Sequence, residues 1–223
     1  MKPTIKFFGN GVYSLIVKNA LIKADYQLVD QTNKADLIIS ADYGEKLPPG
    51  GLNLHPSLLP EYRGATPVPW QILNNEKQSG ISIIQMTEEF DSGPIIAQEI
   101  VPIHSTDTTQ DLLKRCFTTG AKLLISILPE YIEHKITPII QPTKSPTPYC
   151  KKFAKQDGFI PFKDLNLKTL DRKIRALYPW PGVWTTMPNG KALKLLPNSM
   201  VQLEGKQPIS YKQFLAGYAN LLK

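Results

Sequence analysis

Three side chains in this sequence have the chemistry to act together on one carbonyl. Asn53 and His55 stand in the run Asn53-Leu54-His55-Pro56-Ser57-Leu58-Leu59-Pro60-Glu61-Tyr62-Arg63-Gly64, and Asp91 in Phe90-Asp91-Ser92-Gly93. An amide donates to a developing oxyanion and needs no tuned pKa. An imidazole passes protons near neutral pH, and a carboxylate fixes its orientation and charge. Asn53 and His55 are two residues apart, so an extended strand points both to one face. Asp91-Ser92-Gly93 has turn chemistry, which puts the carboxylate on a loop held by strand ends. Singly, Asn-x-His is most often a strand end and Asp-Ser-Gly an ordinary turn; their joint occurrence beside Ser57-Leu58-Leu59-Pro60 points to catalysis. His104 and His134 have no partner pattern and read as surface or capping residues.

The elements that must position these groups follow from apolar spacing. Ile5 to Gly9 reads as a short buried strand entering a turn at Asn10-Gly11, and residues 14–24 as a helix with Leu15, Ile16, Ala20 and Leu21 on one face. Asp36 to Ala41 is a second buried strand, its apolar residues in succession as in a parallel sheet. Strand, helix and strand at this spacing imply the βαβ start of a doubly wound fold. Gly9-Asn10-Gly11 is not a dinucleotide fingerprint, because Ser14 stands where the third glycine belongs. Ile81 to Met86 and Pro94 to Ile103 read as strands flanking the Asp91 loop. Asp107 or Thr108 caps a helix running to about Leu128, where Pro129 is expected to kink or restart it. Four prolines between residues 137 and 148 mark a semi-extended linker. Beyond it, Leu165 to Tyr178 is predicted helical, with Leu170, Ile174 and Leu177 inward and Lys168, Arg172 and Arg175 on a basic flank. Val183 to Leu203 gives a few short strands.

A chain of 223 residues holds one ordinary domain, or one domain with a small appendage. No apolar run approaches the roughly 20 residues of a transmembrane helix. The patch after Lys2 and Lys6 is broken at Gly9 too early for a signal peptide, so the cytoplasm is the expected compartment. Cys116 and Cys150 form neither a disulfide framework nor a zinc pattern, and no metal is expected. Cys116, inside a helix, reads as a buried structural thiol; Lys151 and Lys152 beside Cys150 are of the kind that lowers a thiol pKa. Charge is uneven: residues 1–140 carry 12 Lys/Arg against 15 Asp/Glu, residues 141–223 carry 14 against 4. A reaction module joined to a module that holds a polyanion is one explanation, and a solvated lysine-rich surface is the other.

The Asn-x-His-Pro-Ser-Leu-Leu-Pro run with the Asp-Ser-Gly loop resembles the signature of the folate-dependent formyltransferases. Within that superfamily the similarity to methionyl-tRNA formyltransferases extends in pieces along the chain. Phe7-Phe8-Gly9 with Val12-Tyr13-Ser14 resembles the family's first strand and turn. Ala41-Asp42-Tyr43-Gly44 through Leu47-Pro48 resembles the strand leading into the catalytic segment. Tyr178-Pro179-Trp180-Pro181-Gly182 resembles the proline–tryptophan turn after the linker, and Glu204 to Ser210 with Phe214 and Gly217 the closing segment. It is the closing segment that points towards transfer RNA. The chain departs from the family in length: the stretch between Val29 and Ala35 has no room for the usual strand–helix pair and basic loop, and the appended barrel is abridged.

The resemblance implies a Rossmann-like α/β formyltransferase domain with a mostly parallel sheet over residues 1–140. A Pro-rich linker (141–153) and a small, basic, abridged OB-like β-barrel domain (154–223) would follow. It implies transfer of formyl from 10-formyltetrahydrofolate to the α-amine of methionyl-tRNA, with a sugar-nucleotide N-formyltransferase acting on an aminosugar as the alternative. Asn53, His55 and Asp91 would be catalytic. Ser57, Leu58, Leu59 and Pro60, with Tyr43 and Gln85, would hold the folate, while Lys151, Lys152, Arg172 and Arg175 would contact tRNA. Leu58 and Leu59 suit a flat heterocycle and would equally pack as core. Arg63 has two readings of its own, a partner for a phosphate or the folate glutamate and a structural ion pair with Glu61 or Asp91.

Overall fold

The computed structural model describes residues 2–30 and 32–218 and divides into two compact units. Of the described residues, the first takes in 2–30, 32–68, 77–103 and 112–151, and the second 69–76, 104–111 and 152–218.

The first unit is built on a six-stranded sheet. Its strands are β1 (Thr4–Phe8), β2 (Gln27–Val29), β3 (Leu37–Ala41), β4 (Leu52–His55), β5 (Gln78–Gln85) and β6 (Ile95–Pro102), in the order β2-β1-β3-β4-β5-β6. The first four run parallel, and β5 and β6 are added antiparallel. The expected Rossmann-like beginning is present, and the sheet turns antiparallel at the strand that carries Asn53 and His55. Helix α1 (Ser14–Lys23) makes the first crossover. It buries Ser14, Val17 and Leu21, whereas Leu15, expected inward, is 53% exposed. The turn sets this rotation: the Ser14 hydroxyl donates to the Gly11 carbonyl, and Ser14 packs where a Cβ on Gly9 would lie.

Helix α3 (Thr109–Ile132) begins at a reciprocal cap in which Thr108 and Asp111 exchange side-chain and backbone hydrogen bonds. It continues through Pro129 to Ile132 without a restart; Pro129 lies in its last turn, where only one upstream carbonyl loses its donor. From Leu112 on, its apolar face (Leu112, Cys116, Phe117, Ala121, Leu124, Leu128) is buried. Gly120 lets it approach the sheet, since a Cβ there would sit 2.6 Å from Ile81. Helix α2 (Pro67–Leu73), β2 and the terminal helix α5 (Tyr211–Gly217) are elements the periodicity did not reveal. All three are short.

The second unit carries α4 (Leu167–Leu177) and a four-stranded antiparallel meander. Its strands are β7 (Val183–Thr186), β8 (Ala192–Leu196), β9 (Met200–Leu203) and β10 (Ile209–Ser210), in the order β10-β9-β8-β7. The abridged barrel is thus an open sheet. Asn166 caps α4 by accepting from the Lys168 and Thr169 amides. Ile174 and Leu177 join Ile160, Val183, Leu193, Leu195, Val201 and Phe214 in one apolar core, with Leu170 packed at its edge. Among the described residues no helix is long and apolar enough to cross a membrane, and no cluster of three metal-binding side chains occurs.

Candidate active site

Strand β4 lies between β3 and β5, with Asn53 opposite Ser40 and Ile84, and His55 opposite Ser82. The strand ends at His55, so the imidazole is delivered at the sheet's edge of turn and loop. Asp91 sits in the connection from β5 to β6, in the left-handed region at φ 55°. These two elements bring the imidazole and the carboxylate together.

His55 is 4% exposed, and both of its ring nitrogens face acceptors. Nδ1 is 3.2 Å from Asp91 Oδ1, and Nε2 is 2.9 Å from the Tyr62 carbonyl oxygen. Burial alone would push the imidazole pKa down. The Asp91 charge, the hydrogen bond to it and the Tyr62 carbonyl outweigh burial, and the pKa is raised. Asp91 is the mirror case: burial would raise its pKa, but the His55 charge and hydrogen bond, the Gly64 amide and the Arg63 charge hold it below the usual carboxylate range. Acceptors at both ring nitrogens, with the imidazole pKa raised and the carboxyl pKa lowered, favour an imidazolium beside a carboxylate. Asn53 is half-buried, and among the described residues its side-chain amide makes no hydrogen bond, which leaves it as a donor for something else.

Three consecutive residues, Tyr62-Arg63-Gly64, frame the pair. Tyr62, at φ 57°, turns its carbonyl towards His55. Gly64 donates its amide to Asp91 Oδ2 at 2.9 Å. It sits at φ 120°, and a Cβ there would be 2.7 Å from the Cys150 carbonyl, so the position needs glycine. Arg63 is 7% exposed; among the described residues it forms no ion pair with Glu61, and its charge acts on Asp91. Its guanidinium donates to Gln141 Oε1 (3.2 and 2.8 Å) and to the Pro142 and Thr143 carbonyls (2.8 and 3.2 Å). The proline-rich segment, expected as a linker, is thus pinned along the site. Thr147 Oγ1 accepts from the Tyr62 amide, Ser145 donates to the Pro60 carbonyl, and Cys150 donates its amide to the Arg63 carbonyl.

A cleft of about 450 Å³ opens beside the Asp91 loop, lined by Phe90 and Tyr149, by Glu88, Glu89, Ser92 and Ser145, and by Lys46 and Arg63. None of the six residues expected to hold a cofactor lines it. Ser57 is fully buried, donating to the Glu61 carbonyl, and Leu59 packs on Ile84 and Ile95. The Ser57–Pro60 loop is clamped from behind: Ser82 donates to the Ser57 carbonyl and accepts from the Leu59 amide, and Gln98 donates to the Leu59 carbonyl. Leu58 lies against Gly80. Tyr43 donates to Glu45 and contacts Phe8, and the Gln85 amide donates to the Pro94 carbonyl.

Among the basic residues expected to hold RNA, Lys151, Lys152 and Arg172 are exposed. Arg175 is committed to the fold of the second unit, with Nε 2.8 Å from Asp171 and Nη1 donating to the Asp107 carbonyl at 3.0 Å. Cys150 departs most from its sequence neighbours. Instead of being lowered by Lys151 and Lys152, its pKa is pushed up to about 12, first by burial and then by the Asp91 charge. Burial and a raised pKa are the environment of a structural thiol. Cys116 is buried as expected, 3.7 Å from the Ser79 hydroxyl.

A family model described as formyl transferase matches residues 16–128, and one described as formyl transferase, C-terminal domain, matches residues 152–201. This chain belongs to the formyl transferase family. Methionyl-tRNA formyltransferase of Natranaerobius thermophilus is 34% identical over 178 residues, covering 76% of this chain and 56% of that protein. The chain thus spans little more than half the length of that relative. Among solved structures, the formyltransferase PseJ from Anoxybacillus kamchatkensis, in complex with UDP-4,6-dideoxy-4-formamido-L-AltNAc and tetrahydrofolate, aligns with a TM-score of 0.55 at 26% identity, over 66% of this chain and 85% of that one. HypX from Aquifex aeolicus in complex with tetrahydrofolic acid shares the fold at a TM-score of 0.72 and 16% identity, over 96% of this chain and 46% of that one.

Within this formyl transferase framework, the groups framing His55 and Asp91 that sequence reasoning missed are the Tyr62 carbonyl, the Gly64 amide and Gln141. Tyr62 and Gly64 lie inside the quoted motif, but as backbone donors and acceptors they carry no letter of their own. Gln141 offered no signal beyond being a lone amide among prolines.

Proposed function

We propose that the chain transfers the formyl group of 10-formyltetrahydrofolate to the α-amine of methionyl-tRNA. The observation that carries the reading is the unpartnered Asn53 amide on the same strand as a buried, ion-paired imidazole. Family membership, the name of the Natranaerobius relative and the excess of Lys and Arg beyond residue 140 support the choice of acceptor. The tetrahydrofolate bound to PseJ and HypX supports the donor. Charged tRNA and reduced folate as substrates set a cytoplasmic location for the reaction.

A neutral amine attacking the formyl carbon forms a C–N bond and moves charge onto the formyl oxygen. Asn53 donates to that oxygen. Collapse breaks the bond from carbon to the folate N10, which leaves with a proton, while the new amide nitrogen loses one. His55 already carries both ring protons, so it cannot begin as a base. Its order of work is to give a proton to N10, exchanging its bond to the Tyr62 carbonyl, and to recover one from the acceptor nitrogen. Asp91 keeps the ring charged and aimed. The proton count balances with no other reactant.

The test is incubation with labelled formyl-folate and a mixed pool of amines and charged tRNAs, followed by identification of what is labelled. Label on Met-tRNA is expected. Folded, folate-binding protein that formylates Met-tRNA no faster than buffer overturns the reading. The likeness to PseJ favours a second reading, N-formylation of a nucleotide-linked aminosugar. Thermal stabilisation by dTDP- or UDP-aminosugars, with none by acceptor-stem RNA, selects it.

A further inference from the structure

We propose that Gln141 is a positioning residue for Asp91, through which the proline-rich segment fixes the backbone of the Asp91 loop and the aim of its carboxylate at His55. The Gln141 side chain is buried and uses its whole hydrogen-bonding capacity. Nε2 donates to the Asp91 carbonyl at 3.0 Å and to the Gly93 carbonyl at 2.6 Å, and Oε1 accepts twice from Arg63, at 3.2 and 2.8 Å. Asp91 occupies the left-handed region, which a non-glycine residue keeps only where its surroundings dictate it. Its carboxylate is held by His55 and the Gly64 amide, but its peptide is held by Gln141. The same amide is locked to Arg63, the residue between the Tyr62 carbonyl that grips His55 and the Gly64 amide that grips Asp91. One side chain therefore ties the imidazole's frame to the carboxylate's loop.

The kinetic arm of the test rests on the formyl-transfer reading, and the titration arm does not. Gln141→Met removes all four hydrogen bonds at similar volume, and Gln141→Asn keeps an amide one methylene too short to span Arg63 and the loop. In formyl transfer each is expected to lower kcat by about 10- to 100-fold, the scale of an ångström of misplacement. The KM for the formyl donor should stay within about threefold. The imidazole nitrogens of His55, followed by ¹⁵N NMR without substrate, should titrate about one unit lower or more in Gln141→Met, because the ring loses its aimed counter-charge. The other ionisable groups around the pair are Arg63, Tyr149 and Cys150, with Lys46, Glu88 and Glu89 in the cleft; none is substituted, and Arg63, which loses its two bonds to Gln141, still faces the Pro142 and Thr143 carbonyls. A residue that only stabilised the fold would lower Tm and leave this titration in place. Should Gln141→Met fail to fold, Gln141→Asn carries both arms. Folded variants with kcat within about threefold of wild type and an unmoved His55 titration overturn the proposal. If the wild-type chain transfers no formyl group, that refutes the function, and the titration alone decides the role of Gln141.

Discussion

His55 Nδ1 lies 3.2 Å from Asp91 Oδ1, and the two side chains are 5% and 10% exposed. With Nε2 held by the Tyr62 carbonyl, the ring has an acceptor at each nitrogen and no donor to receive a lone pair. A neutral imidazole would leave one of those acceptors facing a lone pair in a buried setting, a cost that protonation removes. The ion pair is thus the ground state of the site and part of its stability.

Asp91→Asn tests that coupling. It leaves a buried imidazole without its counter-charge, and breaking such a pair costs roughly 3 kcal/mol or more. The pH dependence has a definite sign. The folded pKa of His55 is raised, so its contribution is full below the ordinary 6.5 and is lost as pH rises through the raised value. The folded pKa of Asp91 is lowered, so its contribution is present above 3.8 and is lost as pH falls through the lowered value. Urea unfolding of wild type and Asp91→Asn should therefore differ most between pH 3.8 and 6.5. A difference that grew above neutral pH would contradict a charged pair.

Asn53→Ala separates chemistry from folding. The amide has no partner among the described residues, so its removal should leave Tm almost unchanged. Loss of one oxyanion donor is worth about 10²–10³ in kcat. Single-turnover formyl transfer, with donor KM measured alongside, should show that loss in kcat alone. A variant within a few-fold of wild type would remove Asn53 from the mechanism.

Much of this site is legible in the sequence, and what is hidden has physical reasons. Asn53 and His55 are readable because a strand's period of two fixes their common face, and Asp91 because Asp-Ser-Gly names its turn. The inward face of α1 was misjudged because its rotation is set by Ser14 packing on Gly9 and Gly11, and not by the apolar count. The Cys150 environment is hidden because Lys151 and Lys152 are its neighbours in the chain, while its burial and then the Asp91 charge, which raise its pKa, arise only in the fold. Arg63 and Gln141 lie on opposite sides of β5, β6 and α3 in the sequence, and no local pattern joins them. The parallel start of the sheet was expected, but its antiparallel finish depends on β4–β5 pairing that alternation does not encode.

Arg172 and Arg175 stand one helical turn apart in α4 and should behave differently. Arg172 is exposed, so Arg172→Ala should leave stability unchanged. If it touches a phosphate, the slope of log affinity for tRNA against log salt should fall by about 1. Arg175 is held by Asp171 and the Asp107 carbonyl. Arg175→Ala should cost about 1–2 kcal/mol through loss of its bonds to Asp171 and to the Asp107 carbonyl, with little change in the salt slope. Filter binding across a salt series, paired with denaturation of both variants, checks this; the reverse pattern would place the RNA contact at Arg175.

Gly93→Ala reaches the carboxylate without touching it. A Cβ at this position would lie 1.8 Å from the Gln85 carbonyl oxygen, a backbone atom at the end of β5 that cannot swing aside. The Asp91 loop must then lift from the strand, and the Gly93 carbonyl withdraws from Gln141 Nε2. Overpacking of this kind costs about 1–3 kcal/mol, and displacement of Asp91 by an ångström costs about 10²-fold in rate. Activity of Gly93→Ala equal to that of the wild-type chain would mean that the loop tolerates movement, and that the carboxylate's aim is not set by its backbone.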